Sequence, residues 1–219
     1  MGTLRLKYKK KNVGDKWSFN TIKIKDFSKF STSILGLGDI RKDAKSTNAL
    51  AAVFDLEGFT DFCNQIDPQL VIPEFLDCFL SWLFQKIEES FTESIDKEVV
   101  TIWGSLPFFG KFTGDGALFL WDTDLSMGQS GIGNITISLR HICEQYQTEF
   151  HPKISKEIAK VPKKLRVGIA RGQVLSIGDN NDFVGPCINM ASRLQKLGSL
   201  SFAISRRGFN PKECFEKSR

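Results

Sequence analysis

The stretch that decides the fold is Ala51-Ala52-Val53-Phe54-Asp55-Leu56-Glu57-Gly58-Phe59-Thr60. Its apolar first half has the length and composition of a buried β-strand, and it stops at the carboxylate of Asp55. Gly58 follows three residues later and permits a sharp turn. Asp55 is therefore predicted to lie at the end of a strand. An aspartate in this position can bond to its own turn backbone or hold a metal ion.

The composition is that of an ordinary globular protein, with 41% hydrophobic and 25% charged residues. The 219 residues are enough for one fairly large domain that folds without disulfide staples. No apolar run is long enough to cross a bilayer, and the N-terminus lacks the apolar segment of a signal peptide. We therefore expect a cytoplasmic protein with no membrane partner. Five widely spaced cysteines and only two histidines argue against a disulfide framework or a zinc site.

The positive charge is partly concentrated near the start of the chain. The net charge is +5, and five lysines cluster there: Lys7, Lys9, Lys10, Lys11 and Lys16. A solvated tail explains such a run, whereas a nucleic-acid module would also need interleaved aromatic platforms or a recognisable motif. We expect no nucleic-acid partner. Residues 1–46 have no clean hydrophobic period and are predicted to be an accessory segment, with the main domain over 47–219.

The rest of the chain predicts an α+β fold. Apolar residues at three-and-four spacing predict an amphipathic helix over residues 68–90. The turn Thr113-Gly114-Asp115-Gly116 predicts a β-hairpin with Asp115 at its tip. The other predicted elements are strands over 99–103, 107–112, 117–121, 165–170, 174–177 and 201–205, and helices from 135 to 146 and over 184–197. The glycine-rich residues from Gly128 to Gly133 are predicted to precede the first of these helices. Residues 171–173 are predicted to be the turn between the strands over 165–170 and 174–177. This order fits a ferredoxin-like core with additions, built on a mostly antiparallel sheet flanked by helices.

Asp55 and Asp115 stand at two separate strand ends. If the fold brings those ends together, the two carboxylates suit a two-metal site for phosphoryl transfer, in which cations about 4 Å apart orient a triphosphate and neutralise developing charge. Hard oxygen ligands point to Mg²⁺ or Mn²⁺.

Three motifs carry a family resemblance. Residues 54–60 (Phe-Asp-Leu-Glu-Gly-Phe-Thr) resemble the first metal motif of the class III nucleotide cyclases, the adenylate and guanylate cyclase catalytic-domain family, and residues 111–115 (Lys-Phe-Thr-Gly-Asp) resemble the second. Residues 185–193 are similar to the family's G-x-x-[IV]-N-x-A-x-R helix. The resemblance spans roughly residues 48–205 and implies that the domain over 47–219 is a nucleotide cyclase catalytic domain of class III type.

The resemblance also implies roles for individual residues. Asp55, Asp115 and the backbone carbonyl of Leu56 are expected to hold two divalent cations. Asn189 and Arg193, four apart on one helical face, are expected to orient the ribose and stabilise the charge at phosphorus. The implied reaction makes a 3′,5′-cyclic nucleotide and pyrophosphate from a nucleoside triphosphate. In this family one subunit supplies the metal carboxylates and the other the Asn and Arg, so a head-to-tail homodimer is expected.

The sequence leaves two alternatives for the base of the nucleotide, adenine or a pyrimidine. Lys111 and Asp182 match the positions where the family's adenylate cyclases place their base-reading residues, which favours cyclic AMP. A lysine and an aspartate can equally satisfy cytosine or uracil, because each pyrimidine offers donors and acceptors to match. The compact layout, residues 178–193 and residues 200–209 are similar to the bacterial stand-alone pyrimidine cyclases of Pycsar phage defence, which implies cyclic UMP or cyclic CMP and a responsive effector. We favour this reading over the adenylate cyclase.

Two further expectations concern departures from the family. A late-strand lysine that binds the polyphosphate has no obvious equivalent here, so either the sequence is a fragment or Arg206, Arg207 or the basic N-terminal segment substitutes. The alternative that is not an enzyme is a catalytically inactive, cyclase-like domain that senses nucleotides. The presence of Asp55 and Arg193 argues against it.

Overall fold

The computed structural model describes residues 6–13, 17–29, 31–125, 128–179 and 181–210. The strands are β1 (Lys9–Val13), β2 (Trp17–Thr21), β3 (Ser46–Glu57), β4 (Thr92–Ile95), β5 (Val100–Ile102), β6 (Phe109–Phe112), β7 (Gly116–Asp122), β8 (Lys164–Ile177), β9 (Asp182–Val184) and β10 (Phe202–Ile204). The helices are α1 (Ile24–Phe27), α2 (Phe59–Cys63), α3 (Pro68–Phe91), α4 (Gly128–Gln145), α5 (His151–Ile154) and α6 (Pro186–Leu194), with a 3₁₀ turn at Thr32–Leu35 and a π-helical segment at Tyr146–Phe150.

The chain divides into two compact units. The smaller unit comprises residues 1–46 and 175–184, and the larger comprises 47–174 and 185–219. In the smaller unit β1 pairs with β2, and β9 pairs with the last three residues of β8. Lys7 and the lysines at 9–11 are exposed, while Lys16 lies outside the described residues. The prediction that residues 1–46 are accessory to a catalytic domain over 47–219 stays a prediction.

The larger unit is built on a sheet with the strand order β10-β8-β3-β7-β6. Strands β3, β7 and β6 pair antiparallel, and β10 pairs parallel with β8. The apolar run of β3 is buried from Ala49 to Leu56, as its composition requires for a strand covered on both faces. The predicted α+β class, a mostly antiparallel sheet flanked by helices, is confirmed.

The long helix α3 covers one side of the core. Its buried residues are Phe75, Phe79, Leu83, Ile87 and Phe91, each four positions after the one before. This is the stripe that an amphipathic helix turns toward a core, and it confirms the predicted helix over 68–90. Phe79 contacts Phe75 and Tyr146, and the Tyr146 hydroxyl donates to the carbonyl oxygen of Pro162 at 2.7 Å. The buried aromatic side chains therefore tie α3 to the π-helical segment.

Two local predictions are wrong. The turn expected at 171–173 does not form, because β8 runs unbroken from Lys164 to Ile177. Gly172 serves close packing instead, since a Cβ there would lie 3.2 Å from the Cβ of Cys187 on α6. The glycines between 128 and 133 do not precede the next helix but lie within α4. Gly131 and Gly133 are buried there, so tertiary packing outweighs their low helix propensity.

Candidate active site

The carboxylates of Asp55 and Asp115 are brought together by the pairing of β3 with β7. Asp55 lies opposite Gly116 in the register, and the backbone N–H of Leu56 donates to the backbone oxygen of Asp115 at 2.9 Å. A Cβ at Gly116 would lie 2.0 Å from the backbone oxygen of Phe54, so only glycine permits this approach. The hairpin between β6 and β7 thus places Asp115 beside the end of β3.

The two carboxylates occupy different environments. Asp55 is only 7% exposed, whereas Asp115 is exposed. Burial raises the pKa of Asp55 above its ordinary value, and the negative charge of Asp115 raises this pKa further, against the opposing effect of the Arg166 guanidinium. Proximity of two carboxylates disfavours ionisation of both unless a cation lies between or beside them. The pair therefore has the electrostatic character of a cation site.

Arg166 is the site residue that the sequence analysis did not single out. It lies on β8, the neighbour of β3 in the sheet, and its Nε donates to Oδ2 of Asp55 at 3.0 Å. A second bond joins a terminal guanidinium nitrogen to the same oxygen, and Glu57 Oε2 lies 3.8 Å from the guanidinium. An arginine within the apolar run of residues 165–170 was the available signal, because a half-buried cation requires an acidic partner.

The donor atoms at this strand end suit a small divalent cation. Asp55, Asp115 and the backbone carbonyl of Leu56 offer hard oxygen ligands. Among the described residues, no group of three or more His, Cys, Asp or Glu side chains could hold a metal ion. A pair of carboxylates completed by water and substrate phosphate is the usual arrangement for Mg²⁺. The residues present therefore fit Mg²⁺ or Mn²⁺ bound together with a triphosphate.

Asn189 and Arg193 lie on α6. The helix buries Cys187 and Ala191 and leaves Asn189 and Arg193 exposed. No hydrogen bond or ion pair between described residues joins either exposed side chain to Asp55. The sequence predicts that both residues share one helical face, and in the structure both side chains are exposed to solvent.

Lys111 and Asp182, the candidate base contacts, lie in different units. Lys111 is half-buried on β6, opposite Leu118 of β7. Asp182 is the first residue of β9, and its Oδ1 accepts a hydrogen bond from the backbone N–H of Phe183 at 2.9 Å. Their role in base recognition stays a prediction.

The fold is shared with solved structures of adenylyl cyclases. One is the adenylyl cyclase CyaB from P. aeruginosa, with 16% identity and a TM-score of 0.57 over 75% of this chain and 80% of that chain. Another is a bacterial light-regulated adenylyl cyclase, with 13% identity and a TM-score of 0.52 over 76% of this chain and 44% of that chain. This chain therefore matches less than half of that longer protein. No protein-family model and no curated protein sequence matches the chain. The likeness to these two structures shows that the chain shares the fold of adenylyl cyclases.

Proposed function

We propose that the chain is a class III nucleotide cyclase, which converts a nucleoside triphosphate to a 3′,5′-cyclic nucleotide and pyrophosphate. The observation that carries this proposal is the meeting of Asp55 and Asp115 at the end of β3, in a fold shared with adenylyl cyclases. The reaction needs a place where an α-phosphate and the ribose 3′-hydroxyl can be held beside concentrated positive charge. The two adjacent carboxylates create that place when cations are bound.

The mechanism assigns distinct tasks to the residues of this chain. Asp55, Asp115 and the carbonyl of Leu56 would hold two divalent cations, Mg²⁺ or Mn²⁺, which lower the pKa of the attacking hydroxyl and neutralise phosphate charge when bound. Arg166 holds Asp55 in place from one side, so the carboxylate is oriented before substrate arrives. Asn189 orients the ribose, and Arg193 donates to the oxygens at phosphorus as negative charge builds.

We propose that the active protein is a head-to-tail homodimer. The exposure of Asn189 and Arg193, with no bond to Asp55 in the described chain, supports a site completed by a second copy. In such a dimer each site takes its carboxylates from one subunit and its α6 residues from the other.

A complementation experiment tests this arrangement. Asp55→Asn and Arg193→Ala should each be inactive alone. An equimolar mixture should regain about a quarter of wild-type activity, because half of the dimers then carry one intact site of two. An active monomer in sedimentation, or a mixture as inactive as its components, would refute the head-to-tail site.

For the base, we favour a pyrimidine triphosphate, UTP or CTP, with Lys111 and Asp182 as base contacts. The enzyme would then be cytoplasmic, and its product would be a second messenger in antiphage defence. This messenger would act on an effector that responds to cyclic nucleotides. The support is the sequence resemblance to the Pycsar cyclases and the match of lysine and aspartate to pyrimidine donors and acceptors. The second candidate is an adenylate cyclase, favoured by the adenylyl cyclases that share the fold.

One assay separates these candidates. The purified protein is incubated with Mn²⁺ and an equimolar mixture of ATP, GTP, CTP and UTP, and the products are identified by mass spectrometry. Cyclic UMP or cyclic CMP is the expected result. Formation of cyclic AMP would refute the pyrimidine proposal and support an adenylate cyclase. The absence of any product would favour an inactive, nucleotide-sensing domain.

A further inference from the structure

The smaller unit contains a docked segment, residues 37–45, that contacts the hairpin formed by residues 175–184. At one end, the backbone N–H of Ser176 donates to the carbonyl oxygen of Lys45 at 2.9 Å. In return, the backbone N–H of Lys45 donates to Ser176 Oγ at 3.0 Å. At the other end, Asn181 Nδ2 donates to the carbonyl oxygen of Leu37 at 3.4 Å. The docked segment is therefore bonded to the last part of β8 and to the turn between β8 and β9.

Glycines make the contact too close for side chains on either side. Gly178 has a φ of +50°, and a Cβ there would lie 1.7 Å from the carbonyl oxygen of Leu37. Gly38 has a φ of +75°, and a Cβ there would lie 2.6 Å from Oδ2 of Asp179. At Gly178 the opposing atom belongs to the backbone, so a positive φ with this close approach is tolerated by glycine alone. At Gly38 the opposing atom is a side-chain oxygen, and the positive φ is what favours glycine there. A methyl group added at Gly178 would therefore displace the docked segment from the hairpin.

An ion pair adds to this contact from the hairpin's turn. Lys42 Nζ bonds to Oδ1 of Asp179, and Asp179 itself adopts a positive φ of 45°. A non-glycine residue in that region needs local support. The turn from β8 into β9 thus has an unusual backbone conformation at the residue that pairs with Lys42.

This turn leads directly to Asp182. In the register of the hairpin Ile177 pairs with Asp182, Ser176 with Phe183 and Leu175 with Val184. Ser176 and Gly178, the residues that the docked segment contacts, therefore flank the strand position opposite Asp182. Any shift of the turn is passed to Asp182 through backbone pairing over a few residues.

We propose that the docked segment, residues 37–45, is a positioning element that sets nucleobase selection by fixing Asp182. This inference rests on the proposed function, in which Asp182 accepts a hydrogen bond from the base. Such a bond holds over only a few tenths of an ångström in distance, so selection requires a hairpin that does not move. The segment before residue 47 is then part of the specificity apparatus rather than a tail.

The test is Gly178→Ala in the full chain, with Gly198→Ala as the matched control because a Cβ at Gly198 meets nothing within 4 Å. Loss of a charge-assisted bond to the base corresponds to roughly a tenfold to hundredfold rise in KM. We expect that rise for the preferred triphosphate, a smaller change in kcat, and product ratios from the four-nucleotide mixture that move toward equality. Amide exchange over 175–184 should accelerate in the same variant.

A second set of variants keeps the proposal falsifiable if Gly178→Ala folds poorly. Lys42→Glu should weaken base selection in the same direction, and Lys42→Arg, which keeps the positive charge facing Asp179, should not. A role in stability alone would lower the melting temperature without changing product ratios.

The outcomes separate the two proposals. An active wild-type enzyme whose Gly178→Ala and Lys42→Glu variants keep wild-type KM and product ratios would overturn the positioning role while leaving the cyclase intact. A wild-type protein that makes no product, and binds no non-cyclisable triphosphate analogue in calorimetry, would overturn both proposals.

Discussion

Gly168→Ala is the most direct test of how helix α6 is held on strand β8. A Cβ at Gly168 would lie 2.1 Å from the backbone oxygen of Ala191 and 2.5 Å from the backbone nitrogen of Gln195. To reach an ordinary contact of 3.4 Å from 2.1 Å, the helix must move by about 1.3 Å. Both opposing atoms belong to the backbone, so no side-chain rotation relieves the overlap. The helix that carries Asn189 and Arg193 is therefore displaced.

Two effects of this displacement can be measured. Overpacking costs about 1–3 kcal/mol of the free energy of unfolding, which corresponds to roughly 3–10 °C in melting temperature for a domain of this size. A misplacement of about 1 Å in the proposed site costs about 10²-fold in turnover. Thermal denaturation followed by circular dichroism gives the first value, and cyclic nucleotide production at saturating triphosphate gives the second.

The control for Gly168→Ala is Gly198→Ala, which adds the same methyl group where nothing lies within 4 Å. This control should keep the wild-type melting temperature and turnover. If Gly168→Ala did the same, the close contact between β8 and α6 would be refuted. A lower melting temperature with unchanged turnover would support the close contact between β8 and α6 but refute the assignment of α6 to the site.

Three further predictions concern single side chains. Arg193→Ala should lower turnover about 10²–10³-fold at an unchanged melting temperature, since Arg193 is exposed; exposed Lys196→Ala is the control, and equal turnover in the two would contradict the role. Phe79→Ala empties a fully buried position and should cost about 3–5 kcal/mol of unfolding free energy in urea denaturation, and a loss below about 1 kcal/mol would contradict its packing. Cys143 is buried, and burial raises the pKa of its thiol. It should therefore resist alkylation in the native protein, whereas the half-buried Cys78 should react. Equal labelling of the two cysteines in the native protein, mapped by mass spectrometry, would contradict this prediction.

Sequence patterns were sufficient wherever the physical cause is local. The four-residue spacing of Phe75, Phe79 and Leu83 predicts a helix with one buried face, and α3 has that face. The run that ends at Asp55 predicts a buried strand, and the Gly114-Asp115 turn predicts a hairpin, and both are present. In each case the governing interactions lie within a few residues along the chain, so composition and spacing reveal them.

The same reasoning failed where a glycine serves a distant neighbour. Gly172 reads as a turn from the sequence, yet it lies in the unbroken strand β8 because α6 packs against it at Cys187. The sequence predicts Gly131 and Gly133 before a helix, yet they lie buried within α4. A glycine's sequence context does not distinguish a need for unusual dihedral angles from a need for space.

By itself the sequence determined the long helix α3, the buried strand that contains Asp55, the hairpin at Asp115 and the α+β class, and it named Asn189 and Arg193 as candidates. Only the tertiary structure decided that Arg166 bonds Asp55 across 111 positions and that the docked segment, residues 37–45, contacts the hairpin of residues 175–184. Periodicity and turn chemistry act between near neighbours in the chain. Strand order and close backbone approach depend on which distant segments can be buried together, and that is settled by packing the whole chain.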